Sequence, residues 1–195
     1  MSAPHLFHVA DLGDEVDTVL NAQGNPIFKE AKLDWCTPRL WEKGQAAPVS
    51  TDDSAVVYAL IRNHGKSNQK DIVEYVGLTS DPVGRFANHA TAQRLLAKNG
   101  TVGLSLAPIN FIRGRNKLRN IARATEEIEH ILIWALGPRE NVRKNFTLPG
   151  MGSHQANAWH IVNVGYRFAG QMPREIVFPW MIVKLGRDRS HKVKK

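Results

Sequence analysis

Two apolar, β-branched runs of strand length, Ala55–Arg62 (AVVYALIR) and Asp71–Leu78 (DIVEYVGL), are separated only by the polar loop Asn63–Lys70 (NHGKSNQK). Val, Ile and Tyr suit a pleated surface, and a polar, glycine-containing connection between such runs predicts an antiparallel hairpin. Two-residue alternation then puts Val73, Tyr75 and Gly77 on one face of the second strand. Helix signals follow at once. Ser80 or Asp81 can cap a helix with Pro82 in its first turn, running to about Lys98 and stopping at Asn99-Gly100. Thr101–Ile109 reads as a third strand. Over Arg115–Leu136, apolar residues at Leu118, Ile121, Ala122, Ile128, Leu132, Ala135 and Leu136 recur at helical spacing, and Gly137-Pro138 ends the helix.

Around this stretch the chain changes character. Gly44–Ser54 (GQAAPVSTDDS) is small, polar and turn-forming, which reads as a linker. The expected division is an accessory segment and linker over 1–54, a core over 55–145, and a basic C-terminal extension packed on the core over 146–195. The extension has apolar elements at Ile161–Ala169 and Ile176–Leu185, the second interrupted by Phe178-Pro179-Trp180. No apolar run approaches the roughly 18 residues of a membrane span. The start, MSAPHLFHVADLGDE, lacks the basic and apolar regions of a secretory signal. Cys36 is the sole cysteine, which excludes an intramolecular disulfide and a cysteine-rich zinc site, and a cytoplasmic location is the expectation.

Charge is unevenly placed. Residues 1–55 carry nine acidic and four basic side chains, so the remainder holds +13 of a chain whose net charge is +8. Asn110–Arg123 contains Arg113, Arg115, Lys117, Arg119 and Arg123 with no acid. Such asymmetry points to a polyanionic partner, with a solvated basic surface as the bland alternative.

Several residues in the 55–145 stretch can carry chemistry. Arg85 and His89 are four apart and share a face of the expected helix, where arginine can hold a phosphate oxygen and histidine can move a proton. Glu129 lies on the mostly apolar row Ala122, Thr125, Glu129, Leu132, Leu136 and needs a cation or an ion-pair partner there. Its neighbours Glu126 and Glu127 read as solvent-facing charges. Tyr58 and Tyr75 suit core packing, but on neighbouring strands both phenols can emerge beside Arg85, and Gly77 leaves open space on that face. The bland readings are a surface arginine, a half-buried histidine, an arginine-paired glutamate and two core tyrosines.

Taken in order, Tyr75-Val76-Gly77, then Arg85 and His89, then Glu129-x8-Pro138-x2-Asn141 resembles the GIY-YIG nuclease family. The first family triplet corresponds to Val56-Val57-Tyr58, with Val56 where the family name has glycine. Tyr58 and Tyr75 are seventeen apart, further than is common in the family, which implies an enlarged loop at Asn63–Lys70. The resemblance covers about residues 55–145. It implies an α/β (α+β) fold, a small three-stranded antiparallel sheet flanked by helices with N- and C-terminal additions.

The resemblance further implies a metal-dependent endonuclease acting on double-stranded DNA. Glu129 would hold one Mg²⁺ or Mn²⁺, Tyr58 would help activate water with His89 accepting its proton, and Arg85 would stabilise the phosphate. Tyr75 would orient water or phosphate, and Asn141 would support the site. Lys66, Lys70, Arg113, Arg115, Lys117 and Arg119 are the expected nucleic-acid contacts. No separate DNA-reading module is recognisable, so a restriction-type enzyme, acting as a homodimer, is the nearest branch. The alternatives are a structure-specific or repair nicking enzyme and a catalytically silent nucleic-acid-binding module.

Overall fold

The computed structural model describes residues 16, 18–20, 23–50, 56–65, 68–113, 118–145, 147 and 157–178, with 118–120 as backbone only. Seven strands form one mixed sheet: β1 (Phe28–Trp35), β2 (Arg39–Trp41), β3 (Val56–Asn63), β4 (Ile72–Thr79), β5 (Thr101–Arg113), β6 (Ala158–Gly165) and β7 (Glu175–Phe178). Its flanking helices are α1 (Pro82–Ala87), α2 (Ala90–Leu96) and α3 (Leu118–Leu136). The order across the sheet is β4-β3-β5-β1-β6-β7, with β2 paired to β5 beside β1.

This overturns the expected small three-stranded sheet, because the seven strands curl into a half-barrel. The three expected strands do exist, as the antiparallel set β4-β3-β5, but they are one part of a larger surface. The difference originates in β5, which runs thirteen residues. Thr101–Pro108 pairs with β3, while Ile109–Arg113 continues past it and pairs with β1. A strand edge left with bare N–H and C=O groups recruits a neighbour. From β1 the sheet continues into β6, in parallel, and then into antiparallel β7. Strands from both flanking segments therefore complete the same sheet.

β3 is buried on both faces, and its alternation separates two cores. Val57, Ala59 and Ile61 pack with Trp35, Ala107, Ile128, Ile131 and Leu132, so α3 covers that face. Val56, Tyr58 and Leu60 pack with Trp41, Phe86, Ala92, Leu95 and Leu104, under α1 and α2. The expected common face of Val73, Tyr75 and Gly77 does not hold. The β3–β4 register jumps at Leu60/Ile61, where Tyr75 and Val73 oppose successive β3 residues and Glu74 is extra. This bulge turns Val73 into the α3-side core while Tyr75 stays on the other.

The expected single helix from Pro82 to about Lys98 is two. α1 starts at Pro82 under an Asp81 cap, whose Oδ1 accepts from Gly84 N at 2.9 Å, and ends at Ala87. The backbone leaves helical geometry at Asn88 and His89, and α2 restarts at Ala90 with His89 as its N-cap. α3 stops as read, with Gly137 at φ +58° donating to Ile133 O. The expected hairpin loop is pinned at its base, where Asn63 and Asp71 exchange two hydrogen bonds and Tyr166 Oη donates to Asp71. Among the described residues, no helix is long and apolar enough to cross a membrane.

Candidate active site

Tyr58 is directly opposite Gly77 in the β3–β4 register and is fully buried. Its ring lies edge-on to Phe86 of α1, centroids 4.8 Å apart, and is stacked at 6.0 Å on Tyr75. The open space expected beside Gly77 is therefore filled by the Tyr58 phenol. Two groups from the α1–α2 region converge on its oxygen. Arg85 Nε donates to it at 3.2 Å, and His89 Nε2 lies 2.9 Å away.

The geometry determines which way the histidine bond runs. His89 Nδ1 accepts the backbone N–H of Ala92 at 3.2 Å as the cap of α2, so that nitrogen carries no proton. A neutral imidazole then has its hydrogen on Nε2, which donates to Tyr58. Burial, with the positive charge of Arg85 second, pushes the His89 pKa down to about 4, so the ring is neutral at pH 7. The expectation that His89 accepts a proton from Tyr58 is thus corrected: its free nitrogen is a donor. Burial is also the main reason Tyr58 titrates above the ordinary tyrosine range, reinforced by the adjacent Tyr75 and opposed by Arg85. At neutral pH Tyr58 is a phenol whose oxygen faces two N–H donors.

The folded-state pKa of His89 lies below the ordinary 6.5, so folding favours the neutral ring. Its contribution to stability is complete above pH 6.5 and is lost as pH falls towards 4. The expected loss is about 2–3 kcal/mol. Urea unfolding at pH 7 and pH 4.5 should show a smaller pH-induced drop in His89→Gln, whose side-chain oxygen can still cap Ala92. An identical drop in both proteins would remove His89 as the cause.

Asn141 is placed by the turn after α3 against β4, the edge strand. Its Oδ1 accepts from Val76 N and its Nδ2 donates to Val76 O, both at 2.8 Å. One amide side chain thereby replaces a missing neighbouring strand between Tyr75 and Gly77, at about 1 kcal/mol per bond. Glu140 N adds a bond to Glu74 O at 2.9 Å.

Glu129 is half-buried and ion-paired, not with an arginine but with Lys144. It lies one turn beyond Thr125 and Glu126, which line a cleft of about 660 Å³ with Arg85, Thr79, Ser80 and Phe111. Arg85 therefore faces both Tyr58 and a cavity walled by α3, although α3 packs on the opposite side of the sheet from Tyr58. Among the described residues, no three His, Cys, Asp or Glu side chains gather. Around Glu129 the described residues offer one carboxylate, already paired with Lys144, so a hard cation there would be held through that carboxylate alone, with water and phosphate completing its shell. A site made wholly of protein ligands does not fit this donor set.

The structure thus joins Tyr58, Tyr75, Arg85 and His89 in one cluster and fastens Asn141 to its strand. Glu129 bonds to none of them. The expected nucleic-acid residues are less concentrated. Lys70 is exposed at the base of the hairpin loop, and Arg113 pairs with Glu30 at 3.5 Å. Lys66, Arg115 and Lys117 lie outside the described residues, as does the side chain of Arg119.

Two polar groups escaped the sequence reading. Glu127 is not solvent-facing: it accepts from Arg123, Asn157 and Trp159, tying α3 to β6. Buried Glu74 sits on the bulge with Arg62 Nε at 3.5 Å. The four-residue spacing from Arg123 marks one partner of Glu127, but Asn157 and Trp159, and the Arg62 partner of Glu74, are brought by the sheet. Comparison of the chain with protein-family models, with curated proteins and with solved structures gives no match.

Proposed function

We propose that the protein is a metal-dependent endonuclease of the GIY-YIG type that hydrolyses DNA phosphodiester bonds as a restriction-type enzyme. The observation that carries this reading is the Tyr58 oxygen, approached by Arg85 Nε and His89 Nε2 beside Tyr75 and Gly77. A buried phenol needs one polar partner to be satisfied. Two N–H donors on one phenolic oxygen, one of them cationic, are suited to bearing negative charge there.

Tyr58, a phenol at rest, would first release its proton to solvent and then, as phenolate, accept the proton of the attacking water, with Arg85 and His89 N–H groups stabilising the charged oxygen. The remaining N–H groups of Arg85 can hold a non-bridging phosphate oxygen from the cleft it lines. Tyr75 would orient water or phosphate, while Asn141 keeps the Tyr75–Gly77 backbone in place. Glu129 would hold Mg²⁺ or Mn²⁺, which when bound supplies stabilisation of charge on the phosphate and the leaving 3′ oxygen. Cutting both strands with one site per chain calls for a homodimer on double-stranded DNA, and the proposed place of action is the cytoplasm.

Purified protein with plasmid DNA and Mg²⁺ is expected to give discrete fragments, and excess EDTA to abolish them. Cleavage confined to branched or damaged DNA would move the reading to a repair enzyme. Binding without cleavage of any DNA substrate would sink the catalytic reading.

A further inference from the structure

The turn that follows α3 carries more fixed geometry than a connection requires. Glu140 N and the Asn141 side chain bond to the β4 backbone, and Asn145 Nδ2 donates to Pro138 O at 2.7 Å across the turn itself. The Glu140 carboxylate takes Arg94 at 3.1 Å and Lys98 at 2.7 Å, binding the turn to α2 and its end. Lys144 returns it to Glu129. These contacts hold both ends and the middle of Gly137–Asn145.

Against that rigid backbone, Arg139 and Arg143 are exposed. Neither has a hydrogen bond or ion pair among the described residues, unlike the paired Arg94, Lys98 and Lys144 nearby. Both turn acids and helix acids in reach already have cations: Glu140 has two and Glu129 one. Local charge is therefore positive, and the two arginines are its uncompensated part. Each is two residues from Asn141, so its Cα lies within about 8 Å of the Asn141 Cα. Val142, between Asn141 and Arg143, is 72% exposed, so no core contact occupies this side of the turn.

We propose that Gly137–Asn145 is a preformed DNA-backbone clamp, in which Arg139 and Arg143 each take a phosphate and set the duplex against the β4 edge. The proposal rests on the nuclease reading and deepens it by assigning a DNA-contacting surface. Phosphate contacts give register and affinity without base preference, and a backbone already ordered loses little freedom on binding. The anchoring through Val76 and Glu129 ties this contact to the strand and helix that bear the proposed site.

The test is fluorescence anisotropy of a short labelled duplex with the full chain in EDTA, titrated with salt, so that no cleavage is needed. Arg139→Ala and Arg143→Ala are each expected to weaken binding for all sequences and to lower the slope of log K against log salt by about one. The double variant should lower it by about two, and the Arg→Lys variants should restore most of it. Unchanged slopes in the alanine variants, with normal binding by the wild type, would overturn the clamp alone. No binding by the wild type even at low salt would overturn both the clamp and the nuclease reading.

Discussion

Gly77→Ala is expected to destabilise the protein by about 1–3 kcal/mol and to lower DNA cleavage at least ~100-fold. A Cβ built at Gly77 lies 2.5 Å from Tyr58 Cζ and 2.8 Å from Tyr75 Cε1, and nearer still to the Tyr58 oxygen. Ordinary carbon contacts are about 3.5–4 Å, so the rings must move. Tyr58 has little room to do so, because Phe86 and His89 pack edge-on against its ring. Movement of the phenol breaks the bonds to Arg85 and His89 that define the site. Denaturant unfolding and plasmid cleavage measure the two effects separately. A Gly77→Ala protein with native stability and cleavage would show that the tyrosine cluster is not held as described.

The second large effect is expected at Glu129. On the proposed reading, Glu129→Ala removes the carboxylate that holds the divalent cation, and cleavage falls by about 10³-fold or more, equivalent to about 4 kcal/mol of transition-state stabilisation. Folding stability should change by less than about 0.5 kcal/mol, because Lys144 is partly exposed and regains water when its partner is lost. A structural ion pair predicts the same small stability change but no loss of cleavage. Lys144→Met supplies the complementary readout. With the lysine gone, Glu129 keeps its charge and loses its competitor, so Mn²⁺ should bind more tightly when free Mn²⁺ is followed by electron paramagnetic resonance. Cleavage that survives Glu129→Ala would remove Glu129 from the mechanism, whatever the Mn²⁺ result.

Some of the site was legible because it depends on short-range rules. Strand runs around Tyr58 and Tyr75 were marked by β-branched residues, and the start of α1 and end of α3 by Pro82 and Gly137-Pro138. The Arg85–His89 pair was anticipated for the wrong local reason. Their meeting at Tyr58 does not come from one continuous helix, since the chain breaks between them and His89 caps the next helix. A four-residue spacing reports a shared face only while the helix persists. The imidazole tautomer follows from that cap, which residue spacing does not encode.

The local order of residues by itself determined the β3–β4 hairpin, the third strand, the long helix and the ordered polar set from Tyr58 to Asn141. These depend on alternation, propensity and turn chemistry within a few residues. Tertiary structure alone decided the size of the sheet, the face of Val73, the bond direction at His89, and the distant partners of Glu127, Glu129 and Asn141. Each is a contact between groups far apart in the chain: β1 meets β5 and β6, Asn141 meets Val76, and Trp159 meets Glu127. Such pairings arise because strand edges and buried polar groups must find partners wherever the fold brings them. No spacing along one sequence names those partners in advance.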